Sequence, residues 1–308
     1  MPRRRWDDLP GRIRAAIEDA LGSPVVSAAS QPGGFSPGSA DRVVLADGRR
    51  AFVKAVSAQA NPDSVGIHRR EARVLSALAG HGLPLADLLG VVDQGDWVAL
   101  IIEDAAGHTP TWTVQEIEAV LDALSPLRVG APPGADLPSL GEDDGLLADI
   151  AIWTAAAGSP SPYEAGLAAW VATHRDRLAE LCHLGVAGLG GSALVHGDLR
   201  ADAVLIRSDG TACLIDWPWA AVGSPWFDAA CLFGDVICRR GGADVEVLMG
   251  SHPTLAGAPD GLLGGLLACL AAYFTANAPR PDVPGIPGLR AVQRDQGAAI
   301  LTWLRDRL

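Results

Sequence analysis

The chain has 308 residues, 49% hydrophobic and 19% charged, which is enough apolar length for a sizeable core and excludes global disorder. A net charge of −12, with a pI near 4.9, argues against a general nucleic-acid binder, because phosphate backbones need basic surface. It suits neutral or cationic small molecules. The five cysteines show no Cys-x-x-Cys spacing and lie in apolar surroundings, so free core thiols in a reducing compartment are expected. The opening "MPRRRWDDLPGRIRAAIEDALG" lacks the apolar segment of a secretion signal, so a cytoplasmic location is expected.

Residues 6–21 place Leu9, Ile13, Ala16, Ile17 and Leu21 at helical spacing. Three β-rich runs follow at about 25–30, 41–46 and 50–56, the last two joined by the Asp-Gly hairpin signal of "ADGRR". A helix is predicted over 63–79, then a second hairpin turning near "DQGD". Thr113 to Glu116 fits a capping box and opens a helix over about 114–125. Beyond a Pro/Gly-rich connection at 126–141, helices are predicted near 143–157 and 161–184, and short strands at 193–195, 203–206 and 211–215. Helices near 226–240, 243–249, 259–277 and 288–307 complete the chain. The uncharged run 261–279 is short for a membrane span and carries Gly264 and Gly265, so it reads as a buried helix. The pattern divides at about residue 103 into a β-rich lobe, 1–103, and a larger mainly helical lobe, 104–308: an α+β, bilobal organisation.

Chemistry concentrates in "LVHGDLRADAVLIRSDGTACLIDWPWA", residues 194–220, where Asp198 and Asp216 each sit beside an apolar run. Taken singly, an Asp after a strand can simply cap a turn. Taken together, "HGDLRADAVLI" and "LIDW" resemble the catalytic core of the aminoglycoside phosphotransferase family, relatives of the protein kinases. The resemblance covers about residues 25–235 and implies a kinase-like fold with ATP or GTP and Mg2+ bound between the lobes. The implied reaction is transfer of the γ-phosphoryl group to a small-molecule hydroxyl, with antibiotics among the candidate acceptors.

On that resemblance Asp198 orients the acceptor hydroxyl and takes its proton, Asp216 holds magnesium, and His196 supports the loop from beneath. "GSPWFDAACL" is similar to the family's G-x-P-x-x-D-x-A element, which implies that Asp228 holds catalytic-loop backbone. Lys54 in "AFVKAV" and Glu71 in the next helix match the kinase lysine and its acidic partner. "PGGFSPGS", with Phe35 and Ser36, is the expected lid over the phosphates. Its glycine spacing lacks the Lys-Ser/Thr pair of a Walker loop. "LIIEDAAG" is the expected hinge, with adenine on backbone groups around Glu103 to Ala105. Glu142, Asp143, Asp144 and Asp235 are candidate acids for attracting a cationic acceptor. No membrane partner is expected, and oligomeric state is not legible.

One position departs from the pattern. The fifth residue after the catalytic Asp is a metal-binding Asn in the family and is Ala203 here, and a methyl group cannot coordinate a hard cation. Three readings stay open. Asp202 could supply an oxygen after a backbone change, since neighbours in an extended segment point opposite ways. Asp216, phosphates and water could suffice with reduced activity, in which case Ala203→Asn is expected to raise phosphotransfer. Or the chain is a nucleotide-binding pseudokinase without efficient turnover.

Overall fold

The computed structural model describes residues 4–31, 37–153 and 161–308. After a short 3-10 turn at Trp6–Asp8, Pro10 leads into helix α1 (Gly11–Leu21). Five strands form one antiparallel sheet: β1 (Val25–Ser30), β2 (Ser39–Leu45), β3 (Arg50–Ser57), β4 (Leu88–Asp93) and β5 (Trp97–Glu103), in the order β1-β2-β3-β5-β4. Helix α2 (Pro62–Leu78) lies between β3 and β4, opened by Asn61, whose side chain accepts the N–H groups of Asp63 and Ser64.

The period of two in β3 and β5 divides the sheet into two faces. Ala51, Val53 and Ala55, with Trp97, Ala99 and Ile101, join Ile13 and Ile17 of α1 in one core. Val56, Val98, Leu100 and Ile102 belong to the other core, which continues through α2 into the C-terminal half. Lys54 shares the parity of Phe52 and Val56 and therefore faces away from α1.

The C-terminal half is mainly helical: α3 (Val114–Ala123), α4 (Asp144–Ile150), α5 (Ala165–Thr173), α6 (Arg175–Ala187), α7 (Phe227–Arg240), α8 (Ala243–Ser251), α9 (Leu262–Asn277) and α10 (Leu289–Arg305). The predicted capping box is present: Thr113 accepts from the Glu116 N–H, and the Glu116 side chain accepts from Thr113. The long helix predicted over 161–184 is two helices, breaking at His174, whose ring Nδ1 lies 2.9 Å from the Trp170 carbonyl.

Helix α9 is the uncharged run. It is apolar on all sides because it packs against α6, α7 and α10, and no helix among the described residues is long and apolar enough to cross a membrane. Its Gly265 permits close approach to α6, since a Cβ there would lie 2.7 Å from the Gly185 nitrogen. All five cysteines are free thiols.

Two small antiparallel ribbons cross this half: β6 (Ala193–Val195) with β9 (Ala221–Gly223), and β7 (Val204–Ile206) with β8 (Ala212–Leu214). Strand β9 has no counterpart in the sequence reading; it is held by pairing with β6 and by the Val222 N–H, which donates to the Pro138 carbonyl. These ribbons carry the His196–Asp198 and Asp216 segments into the crevice beneath the sheet.

Candidate active site

Beneath the sheet is a cavity of about 430 Å³ whose lining includes the apolar Ala40, Phe52, Leu75, Ile102, Leu205 and Leu214 and the charged Arg42, Lys54, Glu71, Glu103, Asp104, Asp202, Asp216 and Arg239. A mostly apolar cleft with a few convergent charged groups is the usual form of a small-molecule site. The apolar walls come from the alternating faces of β2, β3 and β5 above and the β7–β8 ribbon below.

Three of these charged residues form an ion-paired trio. Lys54 Nζ lies 2.8 Å from Glu71 Oε1 and 2.7 Å from Asp216 Oδ1. Burial works against the lysine's charge, but Asp216 and Glu71 outweigh it and hold its pKa above the ordinary value. Burial likewise opposes the charge on Asp216, yet Lys54 keeps that carboxyl below the usual carboxylate range. Glu71 is the deeper partner, with 2% of its side chain exposed against 52% for Asp216, and burial pushes its pKa up against the pull of Lys54. Asp216 is therefore the anion that faces the cleft. Its φ of 69° is left-handed, an uncommon conformation for a residue with a side chain, of the kind that clusters at functional sites.

Asp198 stands outside the cavity lining, on the loop after β6, with 41% of its side chain exposed. Burial raises its pKa; Arg200 opposes that, with its Nε 3.0 Å from Asp198 Oδ1, while Asp202 and Asp216 add to it. A raised carboxylate pKa makes a better proton acceptor.

The loop beneath Asp198 is fixed from several directions. His196 is fully buried and holds its ring edge-on to Trp217, with centroids 4.7 Å apart. With the proton on Nε2, it donates to the Ile215 carbonyl at 2.9 Å, and Nδ1 accepts the Asp198 N–H at 3.3 Å. One ring thus ties the Asp198 loop to the strand end that precedes Asp216. Gly197 has φ 86°, and a Cβ there would lie 2.4 Å from the Trp219 carbonyl oxygen, so glycine is required.

Helix α7 supplies the remaining supports. Asp228 Oδ2 and Oδ1 accept the backbone N–H groups of His196 and Gly197 at 2.7 and 3.0 Å. Asp235 lies on the same helix and is only 3% exposed. It accepts the Ala201 N–H at 3.0 Å and the Trp112 Nε1–H at 2.8 Å, and pairs with Arg239 Nε at 2.9 Å. This corrects the sequence expectation for Asp235: it is committed to the loop that follows Asp198 and is not available to an acceptor. The signal was a second acid seven positions after Asp228, inside an apolar run that ends only at Arg239. Asp143 is also committed, capping α4 through the Leu146 N–H at 2.9 Å, whereas Glu142 and Asp144 stay exposed.

The hinge differs in detail from expectation. Ala105 N–H donates to the Glu103 carbonyl at 2.9 Å, so the two backbone groups expected to meet adenine bond to each other. The Ala105 carbonyl in turn accepts from Arg42 Nη2 at 3.1 Å. Both residues nevertheless line the cavity. Phe35 and Ser36 of the expected lid lie outside the described residues.

Magnesium fits the donors present. Asp216 and Asp202 bring carboxylates to the same cleft, and Asp202 Oδ1 is buried without a hydrogen-bond partner. Among the described residues no cluster of three or more His, Cys, Asp or Glu side chains forms a metal cage. Magnesium bound with nucleotide needs none, since it takes one or two carboxylates and fills its shell with phosphate and water oxygens.

Comparison with known proteins agrees with this geometry. A thermostable mutant of aminoglycoside phosphotransferase APH(4)-Ia, in a ternary complex with ADP and hygromycin B, superposes with a TM-score of 0.60 at 17% identity, covering 94% of this chain and 98% of that one. Spectinomycin phosphotransferase APH(9)-Ia gives a TM-score of 0.60 at 10% identity over the full length of both chains. Choline kinase LicA from Streptococcus pneumoniae gives 0.57 at 15% identity, over 94% of this chain and 98% of that one. Identities this low speak for the fold, which is protein-kinase-like. A search of curated proteins found no match. Residues 34–257 match the sequence profile of the phosphotransferase enzyme family. The chain accordingly belongs to the phosphotransferase enzyme family and is an ATP-dependent kinase with a hydroxyl acceptor.

Proposed function

We propose that the protein transfers the γ-phosphoryl group of ATP to a hydroxyl of an antibiotic-like or other small molecule, with residues 1–103 carrying the nucleotide and 104–308 the acceptor. The observation that carries this reading is the meeting of Lys54 with both Glu71 and Asp216, 162 positions away in sequence, beside the loop of Asp198. The apolar walls of the cleft take the adenine ring. Lys54 neutralises phosphate oxygens once nucleotide draws its ammonium from Asp216, and Glu71 keeps it pointed into the cleft. Asp216 would hold magnesium, which when bound with nucleotide would offset the charge on its phosphates.

Asp198 accepts a hydrogen bond from the acceptor hydroxyl, and the hydroxyl oxygen attacks the γ-phosphorus in line. The bond from that phosphorus to the β–γ bridging oxygen breaks, ADP departs, and the hydroxyl proton passes to the Asp198 carboxylate. Most of the rate comes from positioning and from positive charge around the transferring group. His196, Asp228 and Asp235 act by holding the loop.

The acceptor is a small molecule that docks between the Asp198 loop and the helices around α4 and α9. Hygromycin B, spectinomycin and choline appear with the structural relatives and carry amine or quaternary-ammonium groups; exposed Glu142 and Asp144 would favour such a cation here. An acceptor screen by mass spectrometry tests the function: it should find a compound that gains one phosphoryl group in the presence of ATP. A second reading, a nucleotide-binding pseudokinase, is favoured by the methyl group at Ala203. It requires nucleotide-dependent thermal stabilisation with no phosphorylated product from any acceptor.

A further inference from the structure

Position 203 poses a question for the metal site: which protein oxygen joins Asp216. Ala203 is buried, and its backbone is fully engaged, with the N–H donating to the Arg200 carbonyl at 2.9 Å and the carbonyl accepting the Ile215 N–H at 2.9 Å. Its side chain has no oxygen to offer a cation, and its carbonyl is already held in the pairing with Ile215.

Asp202 is different. It lines the cleft with Lys54 and Asp216, and 25% of its side chain is exposed. An extended segment would have turned it away from the crevice. Residues Ala201–Ala203 instead form a 3-10 turn, where successive side chains step by about 120° around the axis, so Asp202 reaches the cleft with no shift of the loop. Its two oxygens have different surroundings. Oδ2 lies 3.4 Å from Arg200 Nη2, while Oδ1 is buried and has no hydrogen-bond partner. A buried carboxylate oxygen without a donor is destabilising, and a hard cation is the partner it suits.

We propose that Asp202 supplies the second protein oxygen of the magnesium–nucleotide complex in this chain, in place of the side chain missing at position 203. The proposal rests on the reading of the cleft as a magnesium–nucleotide site. A carboxylate brings one more negative charge than the amide of the family pattern. Arg200 balances it, standing 3.0 Å from Asp198 and 3.4 Å from Asp202. The departure at Ala203 is then a relocation of the ligand by one position and leaves the metal site complete.

The test is a Mn2+ titration of the protein bound to AMP-PNP, followed by electron paramagnetic resonance, with metal-free AMP-PNP affinity measured alongside. Asp202→Ala should weaken Mn2+ binding about tenfold or more with no loss of metal-free nucleotide affinity, which loses a repelling carboxylate, and with secondary structure unchanged. Ala203→Asn added to Asp202→Ala should restore much of the loss, whereas Ala203→Asn alone should change Mn2+ affinity less than about threefold. Unchanged Mn2+ affinity in a folded Asp202→Ala overturns the proposal and leaves the nucleotide reading intact. So does a gain of about tenfold from Ala203→Asn alone, a variant that does not depend on the fate of Asp202→Ala. Failure of the native chain to bind AMP-PNP would overturn the nucleotide reading itself.

Discussion

The two edges of the cleft are held by different physics. On the sheet side, Lys54, Glu71 and Asp216 hold one another by charge, and in the proposed reaction the trio loosens when phosphate enters. On the loop side, Asp198 is presented by backbone that Asp228, Asp235 and the His196 ring grip through buried hydrogen bonds. One edge is adjustable, and the other is pre-organised. The difference suits a reaction in which the nucleotide must arrive and leave while the proton acceptor stays aimed.

That contrast can be broken or sharpened by substitution. The largest effect is expected at the aimed acid: Asp198→Asn should lower kcat about a thousandfold with little change in nucleotide affinity, measured by phosphoryl transfer and by calorimetry. Next comes the adjustable edge, where Lys54→Met should cost about a hundredfold in kcat and weaken nucleotide binding, because a positive group aimed at developing charge is removed. Thermal stability should move less there than at the loop supports.

Asp228→Ala and Asp235→Ala should show the opposite balance. Each strands buried donors, His196 and Gly197 N–H in one case and Ala201 N–H and Trp112 Nε1–H in the other, so each should cost about 3 kcal/mol of stability by denaturant unfolding. Equal stability losses at Lys54 and Asp228 would erase the distinction between the edges.

The smallest expected effect is on pH dependence. Asp198 must be ionised to accept a proton, and burial raises its pKa, so activity should fall on the acid side at a pH above the usual carboxylate range. Arg200 lowers that pKa, so Arg200→Met should move the acid limb of kcat/KM to higher pH. A shift to lower pH would contradict the assignment of Arg200 as the countercharge.

Much of this was legible in the sequence because it rests on local pattern. Alternation in β3 and β5 fixed which way Lys54 faces, and the "HGD" and "IDW" spacing located both acids. What was not legible depends on chain segments meeting. Asp235 looked like a solvent-facing helix acid until α7 was seen to run beneath the catalytic loop. The direction of Asp202 depends on the 3-10 turn at Ala201–Ala203, which the extended pattern of the sequence does not show. Strand β9 is made by pairing, with β6 on one side and Ser139 on the other, and the Glu103–Ala105 turn leaves no side-chain mark.

The most direct measurement compares Asp198→Asn with the native chain in one assay, following phosphorylated acceptor and AMP-PNP affinity together. A collapse of turnover with the affinity preserved is the predicted result. Native turnover from the amide variant would contradict Asp198 as the proton acceptor, whatever the cleft binds.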